Sequence, residues 1–322
     1  MNIGNDVNRA AFLLQQGRMV AIPTETVYGL AANVFDDLAI QAVFERKGRP
    51  LDHPLIVHIG RWQDVQKVTD QMPEQLARLA DWFWPGPLTL VVPTSPRFKS
   101  LCTAQQDTVA LRMPNHPTTL SLLQALPFPL AAPSANPYTR VSPTQADHVS
   151  HYFPDLPYIL DGGPCTHGLE STIVGLVDHR VTVLRPGALS LEEIQKIEPE
   201  AVLHEGIANR AIPGNRTLHY APRTPTTAFD HWDELPQWAE TERIGIIAAS
   251  TPKTPGAFPH LWHLTPVGDL QAAGRNLYRQ WIEADQLQLD HLFIQRPPRV
   301  GMGIAINDRI DKACGQRTEQ GH

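Results

Sequence analysis

Short apolar runs alternate with amphipathic stretches over the first two hundred residues. Across residues 6–16, Val7, Ala10, Ala11, Leu13 and Leu14 share one helical face, and Gly17 is placed to end that helix. Residues 19–22 are a short, continuously apolar run that reads as a strand. The helical spacing returns at 37–46 and 74–84, and the strand pattern at 55–59, 88–92, 109–113 and 130–132. Residues 173–177 and 181–184 read as a strand pair turning at 178–180, followed by a short helix at 191–197. Interleaving of this kind predicts an α/β fold on a twisted mixed sheet.

The pattern breaks after residue 205. The stretch 206–227 contains Pro213, Gly214, Pro222 and Pro225 and has no apolar period, which is linker chemistry. A second alternation follows, with strands at 243–249, 260–264 and 291–294. A helix at 269–284 places Leu270, Ala273, Leu277 and Trp281 on one face, and a last helix covers 304–313. The expected division is residues 1–205 as one domain, 206–229 as a linker and 230–322 as a smaller, doubly wound α/β domain.

Composition narrows the function classes. Lys and Arg number 27 against 33 Asp and Glu, a net charge of −6, which argues against nucleic acid as the main ligand. The cysteines, Cys102, Cys165 and Cys314, are odd in number and far apart, giving neither a disulfide framework nor a zinc spacing. The first residues lack a signal-peptide layout, and no apolar run approaches the roughly 20 residues that span a bilayer. A cytoplasmic protein is expected. The 30 prolines in 322 residues exceed the usual share of roughly 5%. Many of them fall at strand ends, where they stiffen turns.

The candidate chemistry sits at those strand ends. Residues 23–30, Pro-Thr-Glu-Thr-Val-Tyr-Gly-Leu, place two hydroxyls, a carboxylate and a phenol after a strand, where open α/β sheets bind ligands. The alternative is a loop in which Thr24 or Thr26 caps the next helix. Lys47 and Arg49 flank Gly48 at a helix end. They suit either the helix dipole or a polyphosphate. His53 and His58 are a weak pair of metal ligands. Thr108 and Arg112 bound one strand, and Ser134 and Asn136, two apart, point the same way from an extended segment, unless they only form the turn. Ser142 reads first as a helix N-cap. Ser171 and Arg185 flank the strand pair, Arg185 being either a solvated charge or an anion clamp. No Walker-type loop and no nucleophile with an obvious base is present. The set suits a site that holds an anionic substrate and works by positioning and charge stabilisation.

These residues resemble the threonylcarbamoyl-AMP synthases of the YrdC family, in the long form that carries a C-terminal Sua domain. Residues 23–30 match the family's first motif. Lys47-x-Arg49 with the following Pro-Leu-x-x-Pro-Leu-Ile-Val-His matches the second, and Ser134-x-Asn136 completes the signature. Ser171-Thr172-Ile173, Arg185-Pro186-Gly187, His219-Tyr220-Ala221-Pro222 and Gly301-Met302-Gly303-Ile304-Ala305 follow in the family's order. The resemblance implies a YrdC-like twisted mixed sheet with helices and a smaller Rossmann-like second domain. It also implies an enzyme that makes L-threonylcarbamoyl-adenylate and pyrophosphate from L-threonine, bicarbonate and ATP.

Carried over by motif position, Lys47, Arg49, Ser134 and Asn136 are the catalytic set, with no metal ligand of their own. Thr26, His58, Arg112, Ala132 and Ser171 hold L-threonine. Arg49, His53, Thr108, Ser134, Ser142, Arg185 and Tyr220 contact ATP, which brings Mg2+. The resemblance makes 206–229 a lid over the site. The product passes to a tRNA threonylcarbamoyltransferase complex; contact with tRNA is at most transient and the membrane plays no part. His53 stands where the family usually has Asn, Met302 replaces Leu, and Asn307-Asp308 replaces Met-Asn. An RNA-binding module of the same fold without turnover is the competing reading, and a gel shift separates the two.

Overall fold

The computed structural model describes residues 2–98, 100–204, 219–236, 243–251, 260–265 and 268–315. The strands of the first domain are β1 (Ile3–Gly4), β2 (Val20–Ile22), β3 (Gly29–Asn33), β4 (Ile56–His58), β5 (Leu88–Pro93), β6 (Thr108–Arg112), β7 (Leu130–Ala131), β8 (Ile159–Leu160), β9 (Thr172–Val177), β10 (Arg180–Arg185) and β11 (Val202–Leu203). Among the described residues they form one mixed sheet in the order β1-β8-β2-β3-β7-β4-β6-β5-β9-β10-β11. Its helices are α1 (Val7–Gln15), α2 (Asp37–Lys47), α3 (Glu74–Phe83), α4 (Pro117–Ala125), α5 (Ala146–Tyr152) and α6 (Leu191–Gln195).

Local chemistry sets the elements that matter for the site. The Asp36 carboxylate caps α2 by accepting from the Leu38 and Ala39 amides, and Gly48 ends it at φ +62°. Glycine adopts that left-handed backbone at little cost. The turn sends Lys47 inward along the helix while Arg49 leaves in a new direction. β2 and β3 pair antiparallel, so the motif 23–28 is the connection between two central strands. β4 and β6 run parallel with Ile56 opposite Ala110 and His58 opposite Arg112. Side chains alternate along a strand, so Thr108, Ala110 and Arg112 share a face, as Ile56 and His58 do.

The second domain contains β12 (Thr226–Phe229), β13 (Ile244–Ala248), β14 (His260–His263), α7 (Leu270–Gln286), β15 (His291–Gln295) and α8 (Met302–Ala313). Its sheet, ordered β12-β15-β13-β14, is parallel throughout, as expected of a small doubly wound unit. A separate buried cluster in the first domain lies around Phe44, Leu55, Val57 and Leu90. The second domain has one buried cluster of its own, around Phe229, Ile246 and Phe293, and a larger one that it shares. Leu277, Trp281 and Ile306 pack in one cluster with Val27, Val141, Leu169 and Ala188 of the first domain.

Several expectations are corrected. Thr24 and Thr26 cap no helix, because a strand, β3, follows them. Thr24 Oγ1 instead accepts from the amides of Thr26 and Val27 and closes a turn. Ser142 is not a helix N-cap. α5 starts from Gln145, and Ser142 donates to Glu170 at 2.7 Å. Residues 226–229, assigned to the linker from composition, are strand β12 of the second sheet. The rest of that linker, up to residue 218, lies outside the described residues.

Candidate active site

A cavity of about 590 Å3, counting its open mouth, lies over the ends of β2, β4, β6 and β7, beside the β9–β10 pair. Thr26, His58, Arg112, Ala132, Ser134, Ser171, Arg49, Arg185 and Tyr220 line it, so nine of the residues expected from the sequence come together. Among its described lining residues are three arginines, Arg49, Arg112 and Arg185, and one acidic residue, Glu170. Such a lining suits an anion.

At one end, Arg112 donates Nη1–H to Thr26 Oγ1 at 2.8 Å and Nε–H to Gly86 O at 3.3 Å. Its Nη2 lies 2.7 Å from Glu25 Oε1, both side chains being 4% exposed. The pair is close but poorly angled, and neither Glu25 oxygen completes a hydrogen bond. The guanidinium is therefore counterbalanced without being saturated, and a second carboxylate can compete for it. Beside it, His58 Nδ1 lies 3.2 Å from Ile56 O. A carbonyl only accepts, so Nδ1 carries the proton and Nε2 is left as an acceptor. Burial, helped by the Arg112 charge, pushes the His58 pKa down to about 3. The ring is neutral at ordinary pH.

Along the other wall, Ser171 Oγ lies 2.7 Å from Thr89 Oγ1, and Arg185 donates to Ser171 O at 2.6 Å. Arg49 donates to the carbonyls of Pro54 and His53 at 2.9 and 3.3 Å, and its guanidinium lies over the Tyr138 ring. His53 and Tyr138 rings meet edge to face at 5.8 Å. Thr108 is two residues before Ala110, on the face that carries Arg112. Neither Thr108 nor His53 lines the cavity, although Pro54, next to His53, does.

Lys47, Asn136 and Ser142 do not line the cavity. The Lys47 ammonium donates to Ser134 O at 2.5 Å and Asn136 O at 2.6 Å. Burial and the nearby Arg49 charge hold its pKa well below the usual lysine range. Asn136 Nδ2 donates to Pro137 O and Arg140 O. The signature thus ties the Ser134 loop together. That loop carries the returning linker, because Ala221 N donates to Thr139 O and Arg140 bridges Ala221. Tyr220 follows in this seat with φ +62°, a backbone few bulky residues adopt, and its ring is 1% exposed. His219, whose ring is tilted against it with centroids 4.0 Å apart, also lines the cavity; burial first, then the surrounding cations, keep it neutral.

Sequence reasoning missed Glu25 as the partner of Arg112 and missed Glu170, His219 and Arg309. Glu25 and Glu170 were in the quoted motifs, and their position next to a site hydroxyl was the available signal.

Known proteins resemble this chain over both domains. Residues 12–187 match the family model described as telomere recombination, which groups Sua5, YciO and YrdC proteins. Residues 189–315 match the model described as the threonylcarbamoyl-AMP synthase C-terminal domain. The chain belongs to the threonylcarbamoyl-AMP synthase family. A family member from Pyrococcus abyssi is 36% identical over 96% of this chain and 94% of its own. One from Bacillus subtilis is 35% identical over 97% and 93%. A crystal structure of P. abyssi Sua5 complexed with L-threonine superimposes with a TM-score of 0.87 at 35% identity, covering 96% of this chain and 94% of that one. The YciO structure from E. coli, 17% identical with a TM-score of 0.51 over 57% of this chain, shares the first fold alone.

Proposed function

We propose that the protein is an L-threonylcarbamoyladenylate synthase, a nucleotidyltransferase that uses L-threonine, bicarbonate and ATP. Family membership over both domains supports the reaction. The observation that carries it at the site is the row of buried guanidinium groups, Arg112, Arg185 and Arg49, along one cavity. Arg112 takes the threonine carboxylate in place of the badly angled Glu25. The neutral His58 accepts a hydrogen bond from the threonine amine or hydroxyl, and Ser171 and the Ala132 backbone close the pocket.

The chemistry needs no protein nucleophile. The threonine amine adds to bicarbonate with loss of water and gives a carbamate. A carbamate oxygen attacks the α-phosphorus of ATP, the bond to the bridging oxygen breaks, and pyrophosphate leaves with its electron pair. Arg49, Arg185 and the Ser134 hydroxyl stabilise charge on the phosphates. His53 and Thr108, outside the cavity lining, accommodate the nucleoside. Lys47 and Asn136 act through the loop they brace, and Ser142 through Glu170. Magnesium enters as part of the substrate, on the triphosphate. Tyr220 and His219 cover the labile adenylate from water. The product goes to a tRNA threonylcarbamoyltransferase complex, in the cytoplasm. No helix among the described residues is long and apolar enough to cross a membrane.

The test is incubation with ATP, magnesium, labelled bicarbonate and L-threonine. Threonine-dependent pyrophosphate and a labelled adenylate are expected. Pyrophosphate that does not depend on threonine, or tight RNA binding with no turnover, overturns the proposal.

A further inference from the structure

The second domain reaches into the wall of the cavity. Arg309 of α8 is fully buried, and its Nε donates to Glu170 Oε2 at 2.9 Å, across 139 residues of sequence. Its Nη2 donates to Pro186 O at 2.9 Å, and the guanidinium lies 4.9 Å from the Tyr220 ring centre. Tyr278 of α7 donates to the same Glu170 carboxylate, as does Ser142. Glu170 lines the same cavity as Arg185, and its carboxylate oxygens bond to Tyr278 of α7 and Arg309 of α8. Asp308 pairs with Arg309 and Lys312 behind this cluster.

We infer that Arg309 is a positioning residue that sets the charge of the nucleotide wall: it neutralises Glu170 from behind, so that an anionic ligand meets Arg185 and Arg49 without an opposing carboxylate. The inference rests on the nucleotide site proposed above. Its physical basis is that a buried carboxylate stripped of its partner keeps its field in a poorly screened cavity. ATP is a polyanion and feels that field. Threonine is a zwitterion without net charge, so the effect separates the two substrates. Burial would raise the Glu170 pKa, but the Arg309 and Arg185 charges outweigh it and hold the carboxyl below the usual range, which keeps it ionised.

The experiment is equilibrium binding of ATP and of L-threonine, measured separately on the full chain, with Arg309→Met, Arg309→Lys, Glu170→Gln and the double variant. Arg309→Met is expected to weaken ATP binding about tenfold or more, with threonine binding within about twofold. Arg309→Lys is expected to recover most of the loss. Glu170→Gln is expected to tighten ATP, and Glu170→Gln in the Arg309→Met background to restore it. A scaffold role predicts the opposite sign, with Glu170→Gln weakening ATP as Arg309→Met does. That result, or equal losses for both substrates, overturns the inference. Should Arg309→Met fail to fold, Glu170→Gln and the double variant decide it by the same sign. Binding needs no turnover, so an unaltered protein that binds ATP but makes no adenylate counts against the proposed reaction and leaves this inference standing.

Discussion

Replacing Lys47 by methionine separates a brace from a ligand contact. Methionine keeps an unbranched stem of similar bulk and donates nothing. In the native loop the ammonium serves Ser134 O and Asn136 O from a position 4% exposed. Ser134 O keeps a second donor, the Asn136 amide at 3.0 Å, so Asn136 O bears most of the loss. A buried carbonyl left without its donor costs roughly 1–3 kcal/mol. Ser134 O also loses one donor, and removing a buried amine offsets that smaller loss, so a net loss of about 1–3 kcal/mol stands. At about 2–4 °C per kcal/mol for a domain of this size, Tm falls by roughly 2–12 °C. The Ser134 hydroxyl then loses its fixed place in the cavity wall. A displacement near 1 Å costs on the order of a hundredfold in rate, so kcat/KM is expected to fall about tenfold or more in protein that is still folded. Threonine-dependent pyrophosphate release and urea unfolding, run on the same preparation, read both quantities. Lost activity with unchanged stability would show that Lys47 works on the ligand directly. Lost stability with unchanged activity per folded molecule would show that the loop's position does not govern catalysis. Either result refutes the brace.

Other expectations follow from the same geometry. Arg112→Gln is expected to weaken threonine binding about tenfold or more and to destabilise the fold by roughly 3–5 kcal/mol, because Glu25 is left buried and unpaired. Adding Glu25→Gln should recover stability without recovering threonine binding; recovery of both would remove Arg112 from the carboxylate clamp. His58 and His148 carry folded pKa values pushed down by burial to about 3 and about 4. Both lie below the unfolded value near 6.5, so the unfolded chain takes up protons first and stability declines as pH falls from 6.5 towards those values. His58→Asn is expected to flatten the pH dependence of the unfolding free energy, read by urea titration, by about 1.4 kcal/mol per pH unit at most, and an unchanged slope contradicts the neutral His58. Gly187→Ala places a methyl 2.5 Å from the backbone of Glu170 and Ser171, so a loss of roughly 1–3 kcal/mol is expected. A wild-type unfolding midpoint would show that this backbone yields freely. Tyr220→Ala is expected to raise hydrolysis of the adenylate relative to its release, measured as free AMP.

The legible part of the site was the part written as short local motifs. Thr26, Lys47, Arg49, Ser134 and Arg185 each end or follow an element, and strand ends are where an α/β sheet gathers polar groups. Strand β3 went unread because three of the five residues of Gly29–Asn33 are glycine or alanine, with no alternation and weak strand preference. Helix α4 has buried only Thr119, Leu122 and Leu123, and Pro117 with two threonines at its start reads as a turn. The Arg309–Glu170 pair joins residues 139 apart, and no local period announces such a contact. At Lys47 the motif points to the residue but carries no signal that its side chain bonds to the Ser134 and Asn136 carbonyls.

The shared cluster beneath the second sheet bears on how such a chain can change over generations. Val27, Val141, Leu169 and Ala188 lie in loops that border the catalytic sheet, and they are covered by Leu277, Trp281 and Ile306. Deleting everything after the linker would uncover that apolar face and strand Glu170 without Arg309 in one event. A single truncation is therefore a poor evolutionary route from this two-sheet form to a one-sheet form. Polar replacements on the first domain would have to come beforehand, which makes the second domain an entrenched part of this lineage.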